Sequence, residues 1–248
     1  MGGENGFIEK VSQKLYEKGI TNKIDLTIVE QSQDGKRFNR GALLNVGYIE
    51  QNDYDVFIFH DVDLLPNSNM VDVYATRYYK NDIVHFAAEW SRYSQSGDNY
   101  LGGVTLMGKN IFDEINGFPN DYWGWGGEDD EIIRRLKTLG SFNVIQKISV
   151  TDPYVDLEGI KSAKEKRAIL KMDQLTLDNV IKNEQRDLHA ETWTKNGLSM
   201  HRDADTFYTS NTTIEESGII NILTTLDYEK IKPINAEGNP LDDKTIRP

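Results

Sequence analysis

Two carboxylates one residue apart, Asp61 and Asp63 in His60-Asp61-Val62-Asp63, follow directly on the apolar run Val56 to Phe59. Alternate residues of an extended strand face the same way, so both acids would turn towards one cleft as the chain leaves a sheet. Such a pair offers the hard oxygens that Mg2+ or Mn2+ take, often together with substrate phosphates. The same acids would also suit a solvated turn closed by Pro66.

A second constellation spans Phe118 to Leu136, "FPNDYWGWGGEDDEIIRRL". Gly124, Gly126 and Gly127 permit close backbone approach to a ligand, and Trp123 and Trp125 offer flat apolar walls of the sort sugars stack on. Glu128, Asp129, Asp130 and Glu131 then arrive at the start of a helix, where the helix dipole favours carboxylates. First-turn capping would explain the acids, but not the alternation of Trp and Gly. In "KRFNRGALLNVG", Arg37, Phe38 and Arg40 could hold a phosphate or stack on a base, or serve as surface charges. The pair Gly102-Gly103 after Tyr100 marks a tight backbone approach or bulge. None of the four histidines, His60, His85, His189 and His201, has a partner at a recognisable metal spacing.

The elements that must position these groups follow from periodicity. Phe7 to Lys18 places Phe7, Ile8, Val11, Leu15 and Tyr16 on one helical face before Gly19. "KIDLTIVEQ" reads as a strand and "NRGALLNVGYIEQ" as a helix from near Asn39 to about Gln51. Val56 to Phe59 reads as a strand buried on both faces of a parallel sheet. "DIVHFAAEW" and "LGGVTLMG" read as strands, "NIFDEING" as a short helix closed by Gly117, and "GIINILTTL" as a late strand. The order implies an open α/β sheet, which binds ligands beyond the carboxyl ends of its strands. A single domain over residues 1–248 is expected, with its core at about residues 7–150. The remainder, 151–248, reads as a charged helical stretch, a polar loop through "HRDADTFYTSNTT", the late strand and a loose tail.

A net charge of −12 argues against nucleic-acid or anionic-membrane partners, which are held through clustered Lys and Arg. The absence of cysteine excludes disulfides, thiolate zinc sites and a catalytic thiol. No apolar run matches a signal peptide or a membrane span, so the expectation is a cytoplasmic protein. No G-x-S-x-G, P-loop or well-placed G-x-G-x-x-G is present to support hydrolase, NTPase or dehydrogenase chemistry.

Taken in order, "FNRGALLNVGY", "FIFHDVDLLP", "YLGGVTLMGK" and "INGFPNDYWGWGGEDDEIIRRL" closely resemble the β-1,4-galactosyltransferase family over roughly Arg37 to Gly140. The resemblance implies a GT-A fold, an open mixed α/β sheet flanked by helices, and inverting transfer of galactose from a UDP-sugar with Mn2+, or Mg2+ in its place. It implies that Asp63 ligates the metal, that Asp61 and Val62 line the donor site, and that Phe38 and Arg40 contact the uridine diphosphate. Trp125 would lie over donor and acceptor sugars, Glu128 and Asp130 would bind the acceptor, and Asp129 would be the base. Tyr100, with Gly103 behind it, matches the donor-side position whose Tyr favours galactose over GalNAc.

This sequence departs from the family in three places. The family's first strand, with its Pro-aromatic-Arg motif, would precede Phe7, so a shortened N-terminus is expected. The Met-x-x-His or His-x-His metal ligands are replaced by "VTDPYVDLEG", leaving Asp156 or Glu158 as further ligands, with His189 and His201 as outsiders. The family's disulfides are absent. The leading expectation is therefore a UDP-galactose-dependent transferase acting on a glycan acceptor. The alternatives are the same fold using UDP-GalNAc or UDP-glucose, and an inactive carbohydrate-binding remnant.

Overall fold

A computed structural model describes residues 13–19, 25–90, 100–141, 145–159, 165, 168, 181–201 and 206–234. The first half of the Phe7–Lys18 helix, most of the charged stretch at 160–180 and the C-terminal tail lie outside the described residues; residues 13–17 are helical.

After the helical residues 13–17 comes β1 (Thr27–Gln31), followed by α1 (Arg40–Glu50). Asn39 caps α1 by accepting a hydrogen bond from the Ala42 amide at 3.0 Å, one of the donors that a helix start leaves unpaired. Then come β2 (Val56–His60), β3 (Leu64–Pro66), α2 (Ser68–Tyr74), β4 (Ile83–His85), β5 (Val104–Gly108) and α3 (Lys109–Glu114). α4 (Glu128–Thr138) precedes β6 (Gln146–Lys147), β7 (Tyr154–Asp156), α5 (His189–Thr192) and the pair β8 (Tyr208–Ile214) and β9 (Ile220–Leu226).

The strands form three sheets, ordered β2-β5-β4-β6, β1-β9-β8 and β3-β7. The first mixes antiparallel β2–β5–β4 pairing with a parallel β4–β6 pair, as an open mixed sheet requires. The expectation that Val56–Phe59 is doubly buried in a parallel sheet is corrected here. β2 is antiparallel to β5 and lies at the sheet's edge among the described residues, mostly half-buried, whereas all of β4 and β5 is buried. Its apolar run has another cause. Phe57 packs on Tyr48 at 4.5 Å between ring centroids, and Phe59 on Phe112 at 4.6 Å, so the strand is fastened by aromatic contacts to helices α1 and α3.

The segment around "TFYTSNTT", read as a polar loop, is in fact strand β8, paired along its full length with β9. Beyond Tyr208 its residues are exposed, so no apolar alternation announces it. The "DIVHFAAEW" strand is shorter than its sequence suggests and turns from Phe86 onward.

One buried cation ties the sheet's helices together. The Arg135 guanidinium, fully buried, donates to the carbonyls of Gly117 at 2.8 Å, Asn116 at 3.1 Å and Asn196 at 2.7 Å, and pairs with Glu131 at 3.2 Å. A charge buried this deeply is tolerable because its donors find partners.

Candidate active site

The carboxyl end of β2 delivers His60 and then Asp61, whose amide donates to the Gly103 carbonyl at 3.0 Å. This bond fastens the D-V-D turn to the segment that carries Tyr100 and Gly102. His60 donates from Nδ1 to the Asp61 carbonyl at 2.8 Å, and its Nε2 meets the Tyr74 hydroxyl at 3.1 Å. The Tyr74 hydroxyl in turn meets that of Tyr154 at 2.8 Å, which links the turn to β7.

Asp63, Asp156 and Glu158 converge through this link. β3 and β7 run antiparallel with Leu64 opposite Asp156, and the Leu157 amide donates to the Asp63 carbonyl at 2.7 Å. The three carboxylates lie within 4.8 Å of one another, a hard-oxygen set at the edge of the cleft. The two outlying histidines go elsewhere. His189 meets Glu131 at 2.7 Å and Thr138 at 3.1 Å, and His201 meets Thr206 at 3.3 Å and stacks on Tyr208, so neither joins the acidic cluster among the described residues. Both are absorbed by local packing, which their sequence spacing did not reveal.

Across the cleft, α4 begins at Gly127, whose φ of +99° only glycine adopts readily. Trp123 and Trp125 part company here. Trp123 is 5% exposed and donates Nε1–H to the Ile231 carbonyl at 3.0 Å, so it is a core residue rather than a wall of the cleft. Trp125 is 42% exposed and available to a ligand. The Phe38 carbonyl accepts from the Gly124 amide at 2.8 Å, placing the exposed Phe38 ring beside the same loop. Val62 is likewise exposed. Asp130 faces outward and pairs with Arg186 at 3.2 Å.

Arg40, the first residue of α1, joins the two sides. Its Nε donates to Asp61 at 2.8 Å, while Nη1 donates to Asp129 at 2.9 Å and meets Glu128 at 3.4 Å. Burial disfavours the guanidinium charge, but Asp61, Asp129 and Glu128 outweigh that and hold its pKa well above the ordinary value. Asp129 responds in the opposite sense. Burial pushes its carboxyl up to about 7, with Arg40 opposing and Glu128, Asp61 and Asp130 reinforcing. A carboxylate poised near neutrality, able to accept a proton, is what a general base requires.

Gly102 fixes the remaining distance. A Cβ at Gly102 would sit 2.1 Å from the Tyr100 hydroxyl oxygen and 2.5 Å from Asp129 Oδ2, so only a bare Cα lets Tyr100 and Asp129 face each other there. His85 donates to the Gly102 carbonyl at 3.0 Å, and its burial lowers its pKa to about 4, keeping it neutral. Sequence reasoning weighed His60 and His85 only as lone histidines without a metal partner and passed over Tyr74 and Tyr154; their work is to hold backbone and one another, and a lone His or Tyr carries no spacing signal.

The open mixed α/β sheet flanked by helices is the fold of GT-A galactosyltransferase catalytic domains. The structure aligns with the catalytic domain of Drosophila β1,4-galactosyltransferase 7 crystallised with xylobiose, at a TM-score of 0.61 and 22% identity over 92% of this chain and 91% of that one. A variant of the same enzyme, in complex with manganese, UDP-Gal and xylobiose, aligns equally well, at 0.61 and 23% identity.

Two family descriptions match the sequence: "N-terminal region of glycosyl transferase group 7" over residues 8–76 and "N-terminal domain of galactosyltransferase" over residues 82–154. Together they cover more than half of the chain. Human β-1,4-galactosyltransferase 4 is 39% identical over 129 residues, 51% of this chain and 35% of that protein. Human β-1,4-galactosyltransferase 1 is 46% identical over 107 residues, and the Drosophila enzyme numbered 7 is 36% identical over 136. The chain belongs to the β-1,4-galactosyltransferase family, a family of hexosyl-transferring enzymes. Its matches span between 26% and 40% of these relatives' lengths.

Proposed function

We propose that this chain is a metal-dependent inverting galactosyltransferase that moves galactose from UDP-galactose to a sugar hydroxyl. The observation that carries the reading is the Arg40 bridge: one guanidinium holds Asp61, on the D-V-D turn, and Asp129, at the start of α4, in a single cleft. Both halves of a displacement are then within reach of one substrate.

Asp129 would take the proton of an acceptor hydroxyl, and the freed oxygen would attack the anomeric carbon from the face opposite the leaving UDP, so the configuration inverts. Trp125, the exposed aromatic beside the base, fits the role of a stacking surface for sugar. Glu128 and Asp130 flank it as acceptor contacts, and Tyr100 stands against Asp129 where the donor sugar would end. Phe38, Val62, Asp61 and Gly103 form the donor side. Asp63, Asp156 and Glu158 fit Mn2+ or Mg2+ in donor chemistry, since three hard oxygens of like charge gather where a divalent cation would offset their repulsion. A cation bound there supplies Lewis-acid assistance to the departing diphosphate.

The test is a panel of UDP-sugars with simple glycan acceptors, with and without Mn2+. UDP release with UDP-galactose that needs the metal and vanishes in Asp63→Ala supports the reading. Calorimetry that finds glycan binding but no UDP binding would instead mark a carbohydrate-binding remnant and defeat it.

A further inference from the structure

The backbone leading into α4 passes through three glycines in the left-handed region, Gly124, Gly126 and Gly127 at φ +78°, +85° and +99°. Glycine backbone of this kind keeps one shape only where neighbours fix it, because its own entropy opposes order. Residues 181–187, a helical segment, supply such neighbours from one face, at Lys182, Gln185 and Arg186. The Lys182 ammonium donates to the Trp125 carbonyl, Gln185 donates to the Asp121 carbonyl at 2.9 Å, and Arg186 meets Asp130 at 3.2 Å. Lys182 and Gln185 are each 5% exposed. A buried ammonium holds its charge only against satisfied acceptors, so the bond to Trp125 is integral to the packing. The Lys182 stem also reaches within 3.3 Å of where a Gly127 Cβ would stand, and the Tyr122 ring within 2.8 Å.

We propose that Lys182 and Gln185, with Arg186, are positioning residues that clamp the segment 121–130 and so set the acceptor side of the site. The inference rests on the transferase reading above. The donor-side acids are held by β2, β3 and β7, and Arg40 holds Asp129 independently of the clamp. Losing the clamp therefore releases Trp125 while leaving the base and the nucleotide side in place. Acceptor affinity suffers because only a fraction of molecules keep the binding-competent loop.

The experiment compares wild type with Lys182→Met, which keeps the stem and removes the donor, and Lys182→Arg, which restores a charged donor. Hydrogen–deuterium exchange needs no substrate. In Lys182→Met, amides of 121–127 should exchange about tenfold faster, the ratio expected on losing one charge-assisted hydrogen bond, while those of 129–138 stay unchanged. Steady-state kinetics should show acceptor KM raised about tenfold, kcat within about threefold and UDP affinity with Mn2+ unaltered, and Lys182→Arg should recover most of the loss. Unchanged exchange over 121–127 overturns the proposal, as does faster exchange that spreads through α4 with a matching loss of UDP affinity. If Lys182→Met does not fold, Gln185→Leu breaks the clamp at its Asp121 end, with the same outcomes expected and the same outcomes fatal. Should the wild type transfer no sugar, the transferase reading falls by itself, and the exchange arm still decides whether the clamp exists.

Discussion

Replacing Asp129 with Asn should stabilise the protein at alkaline pH while destroying its activity, and the size of the effect follows from the site. An ordinary aspartate titrates near 3.8, whereas burial raises Asp129 to about 7 even with Arg40 opposing. Between those values the folded protein holds a proton that the unfolded chain has released. The resulting stability is fully present below about pH 4 and is lost as pH rises through about 7. Above that, the folded state must carry a desolvated charge that costs about 4 kcal/mol in full. The side chain is 16% exposed and flanked by other acids, so about 2 kcal/mol is the figure to expect after screening and relaxation. Asn keeps an acceptor for Arg40 but never ionises. Thermal unfolding at pH 8.5 should therefore place Asp129→Asn about 4–8 °C above wild type, and the gap should shrink steadily as pH falls from about 7 and close near pH 4, where the unfolded chain also holds the proton. The catalytic counterpart has the same origin: wild-type kcat/KM should fall about tenfold per pH unit below about 7 and flatten above it. A Tm gap independent of pH, or a variant less stable than wild type at pH 8.5, would refute the claim that Asp129 is held against its own ionisation.

Gly102→Ala should fold yet lose activity by about a hundredfold or more, because its Cβ would intrude between Tyr100 and Asp129; circular dichroism with UDP-release kinetics checks both halves. Asp156→Asn and Glu158→Gln should each weaken Mn2+ binding by about tenfold in electron paramagnetic resonance titrations, whereas His189→Gln should leave it unchanged. Tyr100→Leu opens space on the donor side and should raise the rate with UDP-GalNAc relative to UDP-galactose, measured as a ratio of kcat/KM values. Arg135→Met should cost about 3–5 kcal/mol in urea unfolding, since it removes a buried charged partner of Glu131 and the donor to the carbonyls of Gly117 and Asn196.

The amount of this that the sequence discloses varies with the range of the interaction involved. Helix α1 is legible because its cap and its apolar face are local: Asn39 bonds Ala42, and Ala42, Leu43 and Val46 recur at helical spacing. Trp123 and Trp125 are not separable from sequence, for they differ only in what lies beyond them, Ile231 in one case and solvent in the other. β2 misleads because phenylalanines that fasten an edge strand to helices look the same as residues buried between them. β8 is silent because the six residues after Tyr208 are exposed and all but Ile214 are polar, so its strand character rests on pairing with β9. Asp156 and Glu158 stand in the sequence only as alternatives for a further ligand; that both gather with Asp63 follows from β7 lying antiparallel to β3, a contact across more than ninety positions of chain.

The charges of the cleft explain why its parts are found together. Asp61, Glu128 and Asp129 surround one cation, Arg40, and Asp63, Asp156 and Glu158 gather two residues further along the D-V-D turn and on and just after β7. Folding alone would favour fewer acids, since each added negative charge raises the cost of ionising the others. Two features make the surplus tolerable: the guanidinium that bridges both walls, and a cluster whose geometry suits a divalent ion. Burial raises the Asp129 pKa most, and this surplus adds to it, because Glu128 and Asp61 oppose its ionisation as Arg40 favours it. A bare Arg–Asp pair would depress that carboxylate into the ordinary acidic range and leave it a poor base at neutral pH. Burial, together with the excess of acid that weakens the fold locally, thus sets the titration of Asp129.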